Sequence, residues 1–545
     1  MKAAVAVAAA VLLVLGTHVR PGVALYSHQG MRGPAGAAVR GAAARLGGGG
    51  PTAAPGERWF DEQLVDHFGP VSEKRYWSQR YFVNETHLHP AGGAGAGPGG
   101  SPVVLLCVGG EGPPLEPDVV VSGDVHCAIA VSVLAPLLSG TMGIPTLVVA
   151  LEHRYYGESH PVPDLSTPNM RFLSSRQALN DIAKFIGHIT EAYSLRQPRV
   201  VTFGGSYPGM LAGWARLKFP HLVKASVASS APINAILNYQ GYYEVVGEAL
   251  GNALVGGSAA CVDAVERAFA ELGDELGSAT GRGGVAAAFD VCGGGDSLAD
   301  AADQGLLVAT LTNLFPAQSN DPACEAPNCN IARVCSNMTD AAAAGAPAPP
   351  RRGLAFSGGP RPRDDGGALS RLASLSRSSF GPGCLRISAK EERRALLDTS
   401  LKNWDRVWVW QTCNEFAFYQ TCDEGSSCPF TKGAITLESY LDDCRAAFNV
   451  SASDVAQAVR DTNNFYGGSA IASSRIYYPN GDVDPWYAQG LLTAKPVEMQ
   501  EPIMMVPGAS HHAWTHPPRD SDQESVKTAR VRIVDQVIEW LEEEY

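Results

Sequence analysis

"TFGGSYPGMLAGW", residues Thr202 to Trp214, sets a serine between glycines, at the end of an apolar run and the start of a helical pattern. The run before it, "RVVTF" from Arg199, reads as a short buried strand. Met210, Leu211, Trp214 and Leu217 after it share one helical face. A strand that turns sharply through a serine into a helix is a nucleophile elbow, and the N–H of the residue after the serine then lines an oxyanion hole. Pro208 stands where the common G-x-S-x-G pattern has its second glycine. It does not exclude the elbow. It falls in the first helical turn, where N–H groups lack intrahelical acceptors and proline is favoured. The N–H the chemistry needs belongs to Tyr207 and is intact, and Gly209 takes over the close approach. With 59 glycines in 545 residues, G-x-S-x-x-G arises by chance about once in such a chain, so its surroundings must decide.

Those surroundings are α/β. "VVLLCV", Val103 to Val108, stops at Gly109-Gly110, and "TLVVALEHRYYG" starts another strand at Thr146. "SSRQALNDIAKFIGHIT" carries Ala178, Ile182, Phe185 and Ile189 at helical spacing. Short, wholly apolar strands alternating with amphipathic helices imply a parallel sheet covered on both faces. "SRIYYPNGDVDPW" and "EPIMMVPGASHH" each run a strand into a loop, and "VRIVDQVIEWLEEEY" closes the chain as an amphipathic helix. Residues 1–25 read as a signal peptide, with Lys2 before an apolar stretch from Ala3 to Leu15 that is too short to span a bilayer comfortably. Residues 26–58 read as a flexible segment of Gly, Ala, Pro and Arg. A first core part follows at 59–220. A mainly helical insertion occupies 221–384, with a disordered low-complexity loop at about 340–368, and the core resumes over 385–545.

The partners of Ser206 come in the order an α/β hydrolase requires, Ser, then Asp or Glu, then His. "NGDVDPW" offers Asp482 and Asp484; "GASHHAWTH" offers His511, His512 and His516. Both follow strands, at the carboxyl ends where open α/β sheets keep their sites. Asp484 would hold the imidazole in the right tautomer, and the histidine would take the proton from Ser206 and return it to the leaving amine. Taken alone, Asp484-Pro485 is also a turn starter and the histidine pair an ordinary polar loop. "VGGEGPP", Val108 to Pro114, exposes backbone N–H groups after a strand, with Gly110 the second oxyanion-hole donor beside Tyr207. Glu111 has no part in stabilising an oxyanion; it either binds a substrate amine or shapes its loop.

A formal charge of −13 argues against nucleic acid as a partner. Twelve cysteines, without the paired spacing of a zinc site, read as disulfides of the secretory route. Neither metal nor cofactor is called for. Asn84, Asn337 and Asn449 head glycosylation sequons.

The stretches "WFDEQLVDHF", "QRYFVN", "GGEGP", "LEHRYYGES", "RFLSSRQAL", "GGSYPGMLAGWARLKFPHLVKASVASSAP", "WQTCNEFAFYQTCD" and "NGDVDPW" resemble the prolyl serine peptidase family. "GGEGP" and "FYQTCD" are most similar to its thymus-specific serine protease branch. The resemblance covers about Trp59 to His512 and is weak over the insertion. It implies an α/β-hydrolase fold with an inserted helical, disulfide-rich cap. It also implies Ser206 as nucleophile, Asp484 as triad carboxylate and His511 as base, with His512 the alternative. The activity implied is exopeptidase cleavage of peptides beside proline or a small residue, through an acyl-enzyme, in the lysosome or vacuole or outside the cell. A proline pocket needs aromatic walls, which Trp486 and the cluster around Phe416 supply, with Glu415 and Glu111 as further substrate-binding candidates. Two departures stand out: the Ala/Pro/Arg-rich run inside the cap, and "AWTHPP" after His512. An endopeptidase or a carboxylesterase on the same fold, and an inactive binding module, are the competing readings. Which peptide end is attacked, and whether the chain forms a homodimer, stay open. No membrane anchor is expected after signal cleavage.

Overall fold

The computed structural model describes residues 55–89, 101–122, 126–339, 367–493 and 502–543. The signal-peptide reading, most of the N-terminal segment and the low-complexity loop therefore lie outside the described residues. The chain divides into two compact units, one of residues 26–237, 396–418 and 447–545 and one built mainly of residues 238–395 and 419–446.

The first unit is built on eight strands: β1 (Arg58–Leu64), β2 (Tyr76–Asn84), β3 (Val103–Val108), β4 (Thr146–Leu151), β5 (Arg199–Gly205), β6 (Val223–Ser229), β7 (Ile476–Gly481) and β8 (Ile503–Val506). They lie side by side in the order β1-β2-β4-β3-β5-β6-β7-β8. β2 runs antiparallel to both neighbours, and every pair from β4 to β8 is parallel. This is the α/β-hydrolase sheet. All six residues of β3 and of β4 are buried, as strands covered on both faces must be. Helix α1 (Ser175–Ala192) buries Ala178, Ile182, Phe185 and Ile189, and the Ser174 hydroxyl caps it by accepting the Gln177 N–H.

Two local expectations change. Helix α2 (Tyr207–Lys218) follows the elbow and is buried all round from Tyr207 to Arg216 rather than on one face. Gly209, Ala212, Gly213 and Ala215 leave room for that: a Cβ on Gly213 would already touch Ala228 of β6 and Ile476 of β7. The sheet also continues past residue 220. "VKASVAS" forms β6 with all seven residues buried, although its lysine and serines break the apolar run that marks the other strands. Lys224 is buried with the rest of the strand, and its ammonium donates to the Glu543 carbonyl at 2.7 Å.

The second unit is helical, including Gly241–Gly251, Ala259–Leu276, Ala279–Ala288, Ala301–Thr312, Ile331–Thr339 and Ala368–Phe380. Its small-residue helices leave a modest core around Phe269, Phe315 and Phe430, with Phe269 edge-on to Phe430 and Phe315 tilted against both. Disulfides Cys261–Cys335, Cys292–Cys384, Cys324–Cys329 and Cys422–Cys428 supplement that core. The first two close loops of 74 and 92 residues; loops of that length are worth ~4 kcal/mol each in the chain-entropy model. In the sheet unit, Cys107 of β3 pairs with Cys127. Among the described residues the one cluster with metal-ligand spacing is Cys107, His126 and Cys127, and its two sulfurs are joined in that disulfide.

Candidate active site

Ser206 lies between β5 and α2 with φ 62° and ψ −130°, a backbone state that a side chain makes costly by ~1–3 kcal/mol. Neighbours impose it. The Ser206 N–H is held by the Ser229 carbonyl of β6 at 2.9 Å, and the Ser206 carbonyl accepts the Met210 N–H as α2 begins. Gly204 can have no side chain, because a Cβ there would sit 2.1 Å from the Pro208 carbonyl oxygen. Pro208 fits for a related reason. A Cβ on Gly110 would fall 2.1 Å from its ring, so the glycine loop after β3 packs directly on the elbow proline. The contact brings the loop of Gly110 to the turn of Ser206 and Tyr207.

Asp484 follows β7 and is fully buried. Its Oδ1 accepts the Trp486 N–H at 2.9 Å, which caps the short helix Pro485–Gln489, and its Oδ2 accepts from His511 Nδ1 at 2.7 Å. With Nδ1 protonated toward the carboxylate, the lone pair of the neutral ring lies on Nε2, the nitrogen a base needs. His512 is a different kind of residue. Its backbone is left-handed, at φ 38°, its ring bonds Thr515 at 3.0 Å, and its N–H donates to Ser230 at 2.9 Å. Its ring centroid is 4.5 Å from that of His511. Asp482 turns elsewhere, accepting the Gly508 N–H at 2.6 Å.

Glu111 is 7 % exposed, and its Oε2 is buried without a hydrogen-bond partner. Burial pushes its carboxyl up to about 8. The folded protein thus keeps this proton up to about pH 8, whereas the unfolded chain releases it near the ordinary 4.5. The stability this contributes is full below 4.5 and is lost as pH rises through about 8, at ~1.4 kcal/mol per tenfold in proton affinity. Glu111→Gln, neutral at every pH, is expected to show a smaller fall in melting temperature between pH 5 and 8 than the parent. Equal slopes in calorimetry would refute the buried acid.

Glu415 and Trp486, read from sequence as substrate contacts, are both buried. Both Glu415 oxygens accept the Ser175 N–H at 2.9 Å, Oε1 also accepts the Ser175 hydroxyl at 2.6 Å, and Gln411 Nε2 approaches Oε2 at 3.4 Å. The carboxyl is thus engaged by Ser175 and Gln411 within the protein. Trp486 is 1 % exposed and stands edge-on to Phe418 at 5.6 Å. Of the sequons, Asn449 is exposed with a left-handed backbone, which asparagine tolerates. The Asn84 and Asn337 amides donate to the Val120 and Pro327 carbonyls.

Glu152 and Arg154, in the motif "LEHRYYGES", are buried charges that hold the site's surroundings. Glu152 accepts from Arg80, from the Ser159 hydroxyl and from the N–H of Leu115, and so ties down the segment just after the glycine loop. Arg154 forms a two-pronged pair with Asp181 at 2.6 Å and donates to the carbonyls of Leu64, Val65 and Phe172. Their signal is charge inside otherwise apolar motifs: a buried arginine or glutamate requires several partners.

The family model described as Serine carboxypeptidase S28 matches residues 63–533. Thymus-specific serine protease of Mus musculus is 35% identical over 509 residues, covering 91% of this chain and 89% of that protein. Lysosomal Pro-X carboxypeptidase of Mus musculus is 27% identical, with 88% of each chain covered. Among solved structures, proline iminopeptidase of Mycobacterium smegmatis matches at 12% identity and a TM-score of 0.30, over 85% of this chain and 95% of that one.

Proposed function

The chain belongs to the serine carboxypeptidase S28 family of serine peptidases, and from that premise we propose that it is an exopeptidase cleaving beside proline or a small residue with Ser206, Asp484 and His511 as its triad. The observation that carries the reading is the buried 2.7 Å bond between His511 Nδ1 and Asp484 Oδ2. It supports His511 Nε2 as the base, and the bond of the His512 ring to Thr515 supports a role for His512 outside the triad. Ser206 Oγ attacks the scissile carbonyl carbon as its proton passes to His511 Nε2. The carbonyl oxygen becomes an oxyanion facing the N–H groups of Tyr207 and Gly110. Collapse breaks the C–N bond, and His511 gives its proton to the departing amine. Water, deprotonated by the same nitrogen, then releases the acyl group and restores Ser206.

The unpartnered oxygen of Glu111, in the loop packed on Pro208, supports recognition of a charged peptide terminus, an amine first. Disulfides throughout the chain support an oxidising compartment. Among the described residues no helix is long and apolar enough to cross a membrane. Relatives named as lysosomal or extracellular enzymes point the same way, to the secretory pathway.

His511→Ala is expected to lose activity as completely as Ser206→Ala, and His512→Ala to be at least tenfold milder in kcat, since removing any one catalytic member of a triad disables the unit. Steady-state kinetics of the two histidine variants decide it, and the reverse ranking moves the base to His512. For the function as a whole, the test is mass spectrometry of products from peptides with internal, penultimate and no proline. Release of one or two terminal residues next to proline supports the reading; internal cuts overturn it.

A further inference from the structure

The phenol of Tyr207, the residue whose amide follows the nucleophile, sits in a buried chain of hydrogen bonds that the triad does not use. His153 Nδ1 lies 2.7 Å from the Arg154 carbonyl, which can only accept, so the neutral ring carries its proton there and Nε2 is an acceptor. Burial holds His153 neutral, its pKa brought down to about 4. Nε2 takes the Tyr207 O–H at 3.0 Å. The same oxygen accepts from Gln411 Nε2 at 2.9 Å, and Gln411 Oε1 accepts the Tyr156 O–H at 2.7 Å. The second hydrogen of that amide faces Glu415, which Ser175 holds, and Ser175 Oγ bonds Tyr466 at 2.9 Å. In this orientation each hydrogen of the amide faces an acceptor. Turned over, Gln411 would set its oxygen against the Glu415 carboxylate and its NH₂ against the hydroxyl hydrogen of Tyr156.

This arrangement meets a mechanical need. Ser206 is held at φ 62°, a state that relaxes unless both flanks are fixed. On the strand side the Ser206 N–H is tied to Ser229. On the helix side the bond from the Met210 N–H to the Ser206 carbonyl is joined by the Tyr207 side chain, its ring packed against Phe416 at 5.4 Å, His153 at 5.5 Å and Trp408 at 5.8 Å, and its hydroxyl pinned by Gln411 and His153.

We propose that Gln411 is a positioning residue for the oxyanion hole: by pinning the Tyr207 phenol it holds the first turn of α2, and with it the Tyr207 N–H, where the tetrahedral intermediate needs a donor. The inference rests on Ser206 as nucleophile and Tyr207 as oxyanion donor. Gln411 touches no substrate, so its loss shows in the transition state and not in ground-state binding. Removing one oxyanion donor costs ~10²–10³-fold in kcat, so misplacing it is expected to cost ~10–100-fold.

The experiment compares Gln411→Leu and Tyr207→Phe with the parent in kcat, in KM, in affinity for a peptide boronic acid and in affinity for the product peptide. The boronic acid forms a tetrahedral adduct on the nucleophile; the product peptide does not. The expected result is kcat and boronate affinity falling together by ~10–100-fold, with KM and product affinity within about threefold of the parent. If Gln411→Leu does not fold, Tyr207→Phe, which removes one hydroxyl at nearly constant shape, carries the comparison. Parent-like kcat and boronate affinity overturn the inference, and so does an equal loss of product affinity, which marks a general loosening. Ser206→Ala run alongside separates the two layers. If it is dead while both variants are parent-like, only the role of Gln411 falls; if it turns over, the nucleophile assignment falls and takes this inference with it.

Discussion

Ser206→Ala is expected to fold like the parent and to lose ~10⁶-fold in kcat, because the members of a catalytic triad act as a unit and the loss of its nucleophile removes nearly all of the unit's contribution. The expectation that it folds has its own basis. The Ser206 hydroxyl does not cap α2, so helix formation does not depend on it. The two main-chain bonds that fix the turn, from Ser206 N–H to Ser229 and from Met210 N–H to the Ser206 carbonyl, survive the change. Alanine carries a Cβ as serine does and therefore suffers the same strain at φ 62°, so the elbow is neither relieved nor worsened. Substrate affinity should also persist, since Glu111, Gly110 and Tyr207 are untouched. Residual turnover of ~10³-fold over water is expected from the oxyanion hole and binding alone. Turnover of a proline-containing peptide, fluorophosphonate labelling and a thermal melt read all three parts. A well-folded variant that keeps a tenth of the parent's activity sinks the assignment of Ser206.

What the sequence made legible was local or periodic. The elbow shows because a strand, a serine and a helix follow one another directly, and β3 and β4 show because short, almost wholly apolar runs have few other uses. β6 hid because "VKASVAS" is neither wholly apolar nor strictly alternating; its buried lysine is met by the Glu543 carbonyl, 319 residues away in sequence. The fit between Gly110 and Pro208 was illegible for the same reason. Each residue alone looks like a loop signal, and only the fold brings the missing Cβ of one against the ring of the other. The partners of Glu415 were illegible too. A carboxylate beside aromatic residues suits a substrate anchor, but Ser175, on a distant helix, satisfies it first. Glu111 differs because its second oxygen stays without a partner inside the protein.

That difference leads to the prediction with the other large effect: blocking one peptide terminus is expected to lower kcat/KM by ~10⁴–10⁵-fold, while blocking the opposite terminus changes little. A site whose buried polar group is paired by the substrate rejects an analogue that lacks the partner by that margin, because the group is then left buried and unpaired. Glu111 is such a group, and an α-ammonium supplies both a hydrogen-bond donor and a compensating charge. Acetylating the amino terminus should therefore abolish cleavage. The pH dependence has a fixed sign. With its carboxyl raised to about 8, Glu111 must lose a proton to pair with an ammonium, so KM for a free-amine peptide should rise as pH falls below 8. Glu111→Gln should flatten that rise and weaken discrimination against the acetylated peptide. Amidating the carboxyl terminus is the control with its own meaning: if that change abolishes cleavage and acetylation does not, the enzyme is a carboxypeptidase and Glu111 serves another end of the substrate. Peptides blocked at both ends and cut as fast as free ones would remove the exopeptidase reading altogether, leaving an endopeptidase in which the buried carboxyl of Glu111 only shapes its loop.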